Sequence, residues 1–133
     1  MSSYKFSIWL IPKNWKEIKE MYKMEHIPHI TVATNIEHEL PYEILSNKSY
    51  TVSKFSKVTK FEKMYKHDPL NGYGFYCEIE DIKTTHKPHM TLFYNKEIDN
   101  KQIEIPLELE CKLYMANTQS LDWKLWTAKN LHQ

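Results

Sequence analysis

Apolar and polar residues alternate along much of this chain, a pattern typical of strands that bury one face. The first such run covers residues 4–11 and has its apolar side chains at even positions: Tyr4, Phe6, Ile8 and Leu10. Similar runs predict strands or extended chain over residues 27–35, 49–61, 72–80, 89–95, 103–115 and 121–127. In residues 103–115 every odd position is apolar, which predicts one buried and one solvated face.

One stretch has clear helical periodicity. Asn14, with Glu17 three residues later, resembles a capping box at the start of a helix over residues 14–24. A second short helix is predicted over residues 41–46, and residues 67–72 contain the turn dipeptides Asp-Pro and Asn-Gly. Hairpin-like spacing of strands around one clear helix predicts an α+β domain built on antiparallel sheet.

Composition limits the class of protein. A chain of 133 residues fits a single domain over residues 1–133. With 41% hydrophobic and 14% aromatic residues it is neither disordered, collagenous nor a coiled coil. The early apolar stretch, residues 8–12, is too short for a signal segment or a membrane span. We therefore expect a soluble, cytoplasmic monomer that does not bind membranes.

The charge is nearly balanced but uneven. The net charge of +1 argues against stable binding of duplex nucleic acid, although residues 1–66 hold 11 Lys and 7 acids. All 18 basic residues are Lys, so a phosphate must be held by Lys, His, hydroxyl or backbone N–H groups. Five Lys recur every three residues at positions 54, 57, 60, 63 and 66. This row predicts a break in strand structure and either a solvated basic face or a phosphate-attracting rim.

The two cysteines are too few for a disulfide framework. Cys77 and Cys111 each sit on the apolar phase of an alternating run, which predicts buried strand residues. A redox pair or a nucleophile is the alternative interpretation.

A seven-residue motif occurs twice. His26-Ile-Pro-His-Ile-Thr-Val32 recurs 60 residues later as His86-Lys-Pro-His-Met-Thr-Leu92. On a strand, the second His of each copy and the following Thr share one face, while their apolar neighbours point into the core. The copies therefore present two imidazole–hydroxyl pairs: His29 with Thr31, and His89 with Thr91.

If the two copies converge, these residue types suit phosphoryl chemistry. Two His can act as general base and general acid, and two Thr hydroxyls can bind phosphate oxygens, with neither metal nor cofactor. The two H-x-x-H spacings also suit zinc, but Pro28 and Pro88 oppose the helix that would place both His of a pair on one face. Purely structural histidines left by a duplication are a third possibility. His26 and His86 fit loop or supporting roles better than direct catalysis.

The paired motifs His29-Ile-Thr-Val32 and His89-Met-Thr-Leu92 resemble the signature of the 2H phosphoesterase superfamily. This superfamily includes RNA 2′,5′-ligase-like proteins, cyclic phosphodiesterases, coronavirus and rotavirus 2′,5′-phosphodiesterases and phage anti-CBASS nucleases. The resemblance implies a bilobal α+β fold whose antiparallel sheets form a central groove, with few short helices. It also implies a metal-independent phosphodiesterase without a cofactor.

We expect the substrate to be a nucleotide or oligonucleotide second messenger, a cyclic di- or oligonucleotide such as cGAMP or a 2′,5′-oligoadenylate, cleaved at 3′,5′ or 2′,5′ linkages. The absence of Arg, with many Asn and Ile, indicates an AT-rich genome compatible with a virus. Such an enzyme would counter host immunity in the host cytoplasm. The alternatives are an RNA-end-processing 2′,3′-cyclic phosphodiesterase, a nucleotide-binding module without chemistry, and a protein-interaction domain.

Candidate substrate contacts come from residues that break the apolar alternation. Trp9 and Trp126 are out of phase with their apolar neighbours, so we predict that they face the groove and stack on bases. Tyr4 joins them if the phase of the first strand is reversed. Lys124 shares the face of Trp126 and is a candidate phosphate contact.

Overall fold

A computed structural model of the chain describes residues 5–38, 48–61, 71–84, 86–94, 103–120 and 126–128. In chain order its elements are β1 (Phe6–Pro12), α1 (Trp15–Met21), β2 (Ile30–Ile36), β3 (Ser49–Ser53), β4 (Thr59–Lys60), β5 (Gly72–Tyr76), β6 (Glu78–Ile79), β7 (His89–Tyr94), β8 (Glu108–Asn117) and β9 (Thr127–Ala128). The described residues thus form mostly antiparallel strand with one short helix, which confirms the predicted α+β class. None of the helical structure within these ranges has the length and apolar character needed to span a bilayer.

All of these strands belong to one sheet. Its order is β4-β5-β7-β2-β1-β8-β3-β6, with β9 paired to β8. The two strands that carry the repeated motif, β2 and β7, are neighbours. On its other side β2 pairs with β1, and β7 pairs with β5. The two motif copies therefore meet at a seam between two antiparallel strand pairs.

Both faces of the sheet are covered by apolar residues. The larger core lies on one face and includes Leu10, Ile30, Phe75 and Met90 together with Ile18 of α1. A smaller cluster, Trp9 with Ile11 and Ala116, lies on the opposite face, because Trp9 and Ile11 alternate with Leu10 along β1. Because β1 is an interior strand, its odd positions are buried as well: Ser7 and Trp9 are each 2% exposed. Burial therefore extends to residues that the alternation assigned to the polar side of β1.

One predicted strand starts later than the sequence pattern suggested. The run over residues 103–115 forms strand only from Glu108, and Leu107 is 91% exposed. Pro106 has no backbone N–H to donate to a sheet, which accounts for the late start. From Leu109 to Met115 the predicted alternation holds, since Leu109, Cys111 and Met115 are buried.

Helix α1 is shorter than predicted. It begins at Trp15 and ends at Met21, and the left-handed backbone of Lys23, with φ of 54°, prevents its continuation. The Asn14 side chain makes no capping bond to the backbone. Instead its amide donates to the Glu17 carboxylate at 3.2 Å, so the predicted capping box is replaced by a side-chain pair. The predicted helix over residues 41–46 lies outside the described residues.

The row of period-three lysines does coincide with a break in the sheet. Residues 54–58 form no strand, and Lys54 has a left-handed backbone with φ of 56°. Its ammonium lies 3.6 Å from the carboxylate of Glu78, while Lys57 and Lys60 are exposed. The last two lysines of the row, at positions 63 and 66, lie outside the described residues.

Both cysteines are buried, as predicted. Cys77 is 3% exposed and Cys111 is fully buried, and both thiols are free. Burial raises the pKa of each thiol to about 12, so neither forms a thiolate at neutral pH. Since the thiolate is the nucleophilic form, the raised pKa values argue against the nucleophile alternative, and the redox-pair alternative stays a prediction.

Candidate active site

The two motif strands meet at one register pair, in which Ile30 lies opposite Met90. Because the strands are antiparallel, His29 lies across from Thr91 and Thr31 lies across from His89. The imidazole of each copy is therefore matched with the hydroxyl of the other copy. The structure thus brings all four motif residues together, as two cross-strand pairs.

Each motif histidine is held by the same local hydrogen bond. Nδ1 of His29 is 2.6 Å from the carbonyl oxygen of Ile27, and Nδ1 of His89 is 3.1 Å from that of Lys87. A carbonyl oxygen only accepts, so Nδ1 carries the proton in both rings. In the neutral tautomer Nε2 is then the basic nitrogen, and in the cation it is the nitrogen that donates.

A β-bulge falls at the last residue of each motif copy. On β2 the register against β1 shifts by one residue at Val32, which follows Thr31. On β7 the register against β5 shifts by one residue at Leu92, which follows Thr91. Bulges redirect neighbouring side chains and are common beside active sites. The repeat therefore includes backbone geometry as well as residue types.

The two copies differ in the residue opposite the threonine. Thr31 pairs with Trp9, whereas Thr91 pairs with Gly74. A Cβ atom on Gly74 would lie 2.0 Å from the carbonyl oxygen of Met90, so only glycine fits there. One copy therefore has an indole beside its threonine and the other has bare backbone.

The two cross-strand pairs also differ in accessibility. Thr31 and His89, the outer pair, line a cavity of about 420 Å³. His29 and Thr91, the inner pair, are buried at 8% and 9% exposure and do not line this cavity. Of the four motif residues, the cavity therefore presents the His89 imidazole and the Thr31 hydroxyl directly, and the inner pair adjoins them across the strands.

The inner histidine is enclosed by rings. His29 stacks on Trp9 with centroids 3.6 Å apart, and the ring of His26 meets it edge-on at 5.8 Å. Nε2 of His26 donates to the carbonyl oxygen of Thr91 at 2.8 Å, which ties the first copy to the backbone of the second. Burial, with smaller contributions from the charges of His26 and His89, lowers the pKa of His29 to about 3. His29 is therefore neutral at physiological pH.

The outer histidine packs against two aromatic rings and lies near a cation. The centroid of the His89 ring is 4.5 Å from that of Phe61 and 6.2 Å from that of Tyr76. Burial is the main cause that lowers the pKa of His89. The Lys87 ammonium lies 4.2 Å from the centre of the Tyr76 ring, and Lys87 and His86 both line the cavity. Lys87 was missed in the sequence, although it lies within the second motif where the first has Ile27.

The predicted substrate contacts separate into two groups. Trp9 and Trp126 both line the cavity, with ring centroids 6.4 Å apart. Trp9 is 2% exposed and stacked on His29, so it is a wall of the site, whereas Trp126 is partly exposed and is the better stacking surface. Tyr4 and Lys124 lie outside the described residues. Their predicted contacts remain predictions.

Three hydroxyl residues that the sequence analysis did not single out also line the cavity: Ser7, Thr34 and Thr118. The sequence could have predicted Ser7, because Ser7 and Trp9 are two residues apart on one strand and therefore share a face. Within the described ranges, no three His, Cys, Asp or Glu side chains are grouped closely enough to hold a metal ion.

No family model, curated protein or solved structure matches this chain. The functional assignment therefore depends on the repeated motif and on the geometry of the two cross-strand pairs.

Proposed function

We propose that this protein is a metal-independent phosphodiesterase of the 2H type that cleaves ribonucleotide 3′,5′ or 2′,5′ linkages in a nucleotide second messenger. The observation that carries the proposal is the register of Ile30 opposite Met90, from which antiparallel geometry sets His29 across from Thr91 and Thr31 across from His89. Both imidazoles have Nδ1 bonded to a carbonyl, so both have Nε2 for proton transfer. The reaction needs one histidine as the neutral base and the other as the imidazolium acid, and Nε2 is the nitrogen that exchanges the proton in either state.

The proposed reaction uses the ribose hydroxyl beside the scissile phosphate as nucleophile. Its proton passes to Nε2 of one histidine while its oxygen forms a bond to phosphorus. The bond from phosphorus to the leaving oxygen breaks, and Nε2–H of the other histidine protonates that oxygen. The products are a 2′,3′-cyclic phosphate end and a free hydroxyl. The required imidazolium is favoured when the anionic phosphodiester binds, because an adjacent negative charge raises the pKa of histidine.

Charge and hydroxyl groups at the cavity support this reaction. Thr31 is exposed in the cavity and can donate to a non-bridging phosphate oxygen. Lys87 contributes a positive charge in a protein that has no Arg. A cavity of about 420 Å³ is in the size range of small-molecule sites, which favours a nucleotide over an extended duplex.

The sheet order supports the bilobal arrangement that the 2H resemblance implies. The seam between β2 and β7 divides the strands of the sheet into two groups. Next to the seam, β2 and β1 lie on one side and β7 and β5 lie on the other. Each group contributes one motif strand to the seam. In the viral setting inferred from the Lys-only composition, the reaction would remove a signal of host immunity.

The test is a substrate panel with chelator present throughout. Purified protein is incubated with cyclic dinucleotides, 2′,5′-oligoadenylate and RNA ending in a 2′,3′-cyclic phosphate, and the products are separated by chromatography. We expect cleavage of a messenger that continues in EDTA. Opening of the cyclic phosphate alone would favour RNA-end processing, and tight binding without products would favour a non-catalytic module. Strict dependence on a divalent cation would contradict the mechanism.

A further inference from the structure

Lys87 occupies the second position of the repeated motif, where the two copies carry different side chains. In both copies the carbonyl oxygen of this residue accepts from Nδ1 of the second motif histidine, so Ile27 and Lys87 share one backbone role. The side chain of Ile27 is half-buried and packs against the cluster around Trp9. Lys87 is instead exposed and lines the cavity. The second copy therefore adds a cation to the site where the first copy adds core.

The first position of the motif differs in the same way. His26 is 7% exposed, and its Nε2 donates to the carbonyl oxygen of Thr91. Its counterpart His86 is exposed and lines the cavity. The start of the first copy thus contributes to packing, whereas the start of the second copy faces the space in which a ligand would lie.

The Lys87 ammonium lies beside β5 and not over the seam between the motif strands. It is 4.2 Å from the centre of the Tyr76 ring, and Tyr76 lies opposite His89 in the β5–β7 register. Strand β5 flanks β7 on the side away from β2. A phosphate that both motif imidazoles reach must lie at the seam, one and a half strand spacings or roughly 7 Å from the line of β5. That separation is too long for a hydrogen bond and is comparable with the distance between neighbouring phosphates in a nucleotide chain.

The charge of Lys87 is available to an anion. Lys5, Lys48 and Lys54 each form an ion pair with a carboxylate, but no carboxylate of the described residues pairs with Lys87. Its partner is the face of the neutral Tyr76 ring. Cation–π attraction holds an ammonium in place and leaves N–H groups to donate elsewhere.

We infer that Lys87, held on the Tyr76 ring, binds a second phosphate of the substrate, one that is not cleaved. The inference rests on the proposed function, which places the scissile phosphate at the seam. It narrows the substrate class to nucleotides with at least two phosphates, such as cyclic dinucleotides and oligonucleotides. A mononucleotide 2′,3′-cyclic phosphate has only one phosphate, so it would occupy the seam and make no contact with Lys87.

Isothermal titration with three 2′-deoxyadenosine ligands tests this subsite: the 3′,5′-bisphosphate, the 3′-monophosphate and the 5′-monophosphate. None of them has the 2′-hydroxyl that internal attack requires, so binding is measured without cleavage. Either phosphate of the bisphosphate can lie at the seam while the other reaches Lys87. We expect the bisphosphate to bind about tenfold more tightly than either monophosphate, the usual value of a hydrogen bond to a charged group. The difference should shrink as salt is added.

Variants of Lys87 assign the preference to this residue. Lys87→Met keeps the aliphatic stem and removes the charge, so the bisphosphate should bind no better than the monophosphates, whose affinities should change little. Lys87→Arg keeps a cation that can lie on Tyr76 and should retain the preference. The matched control is Lys48→Met, because the Lys48 ammonium lies 5.1 Å from the centre of the Tyr50 ring and Lys48 does not line the cavity. It removes the same charge from the protein and should leave the preference intact.

Equal affinities of the wild-type protein for the three ligands, or no binding of any of them, would overturn the inference. So would a preference that persists in Lys87→Met. If Lys87→Met weakened the monophosphates as much as the bisphosphate, Lys87 would contact the scissile phosphate itself, and the second site would be wrong. Should Lys87→Met fail to fold, Lys87→Gln serves as the neutral variant.

The readout is binding and is therefore separate from cleavage. Messenger cleavage without a preference for the bisphosphate would remove only the second phosphate site. A preference that depends on Lys87, without cleavage of any substrate in the panel, would support the site and remove only the proposed enzyme.

Discussion

The imidazole of His29 lies flat on the indole of Trp9, with ring centroids 3.6 Å apart and planes 14° from parallel. Trp9 also pairs with Thr31 across the β1–β2 register. One residue of β1 therefore supports the histidine of the inner pair and stands beside the threonine of the outer pair. Since Trp9 is almost fully buried, it fixes the plane of His29 while the Ile27 carbonyl fixes its rotation.

Replacement of this indole should impair both folding and turnover. Trp9→Leu removes the ring under His29 and leaves a cavity, so we expect the free energy of unfolding to fall by about 2 kcal/mol or more. We also expect kcat to fall more than KM rises, because the orientation of His29 is lost. Trp9→Phe keeps a ring face and should lie between Trp9→Leu and wild type. Urea unfolding and steady-state kinetics provide the measurements.

Trp15 provides the matched control for that experiment. It is partly buried and packs against the same cluster as Trp9. Trp15→Leu should destabilise the fold without a selective effect on kcat. An unchanged kcat in folded Trp9→Leu would show that the stacking is not needed for turnover.

Removal of either motif histidine, His29 or His89, should lower turnover. His29→Ala and His89→Ala are each expected to lower turnover by about 10²–10⁴, the usual contribution of a positioned acid or base. His38→Ala, at an exposed position just beyond β2, should leave turnover unchanged. Product formation is followed by chromatography on whichever messenger the panel identifies. Near-full activity of His29→Ala alone would mean that the buried inner pair is structural.

A substrate that lacks the attacking hydroxyl distinguishes internal attack from hydrolysis. With the ribose hydroxyl beside the scissile phosphate replaced by hydrogen, we expect nearly unchanged binding and no cleavage, because proximity of that hydroxyl supplies most of the rate advantage. Thr31→Val and Thr91→Val should slow cleavage of the intact substrate without unfolding the protein. Comparable cleavage of the deoxy compound would make water the nucleophile and favour the cyclic-phosphate opener.

Stability should decrease as the pH falls through the range in which unfolded histidine titrates. Burial is the main cause that lowers the pKa of His26, His29 and His89 below the ordinary 6.5. Below that pH the unfolded chain binds more protons than the folded protein, so acid favours unfolding, whereas above it these groups contribute no pH dependence. Each such histidine contributes at most about 1.4 kcal/mol per pH unit.

Urea unfolding between about pH 7 and pH 5 measures this effect, since most carboxylates titrate below that window. Because the pKa of His29 is lowered to about 3, the decrease should continue across the whole window. His29→Gln, which cannot titrate, should reduce the slope. Equal stability at both ends of the window would contradict the assignment of buried, neutral histidines.

The sequence allowed prediction of those features that depend on local alternation. β1, β2 and β7 lie close to the predicted runs because alternation at neighbouring positions decides which residues face the core. The burial of Ser7 and Trp9 was not predictable in this way. It depends on β1 being an interior strand covered on both faces, and that position is decided by partners far away in the sequence.

In the candidate site, too, the residue types were predictable from the sequence and their arrangement was not. The motif identified His29, Thr31, His89 and Thr91, but it did not show that each His would pair with the Thr of the other copy. That arrangement depends on the register between strands 60 residues apart. The exposure of one pair and burial of the other likewise depends on packing around the seam. Hydrogen bonds join the Ser7 hydroxyl of β1 to Thr34 of β2 and to Thr118, the residue after β8, and no local pattern connects these positions.

The seam between β2 and β7 has a consequence for motion. It is closed by one register pair, Ile30 with Met90, and by the hydrogen bond from His26 to the Thr91 carbonyl, whereas β1 and β8 are joined by an unbroken register from Phe6 to Pro12. Local opening with a low free-energy cost occurs where few hydrogen bonds must break. Amide hydrogen exchange should therefore be faster at the seam between β2 and β7 than between β1 and β8. An opening there would separate the two imidazoles and uncover His29 while the flanking strand pairs, β1 with β2 and β5 with β7, stay intact. Substrate access to the buried histidine would then require no unfolding of the domain.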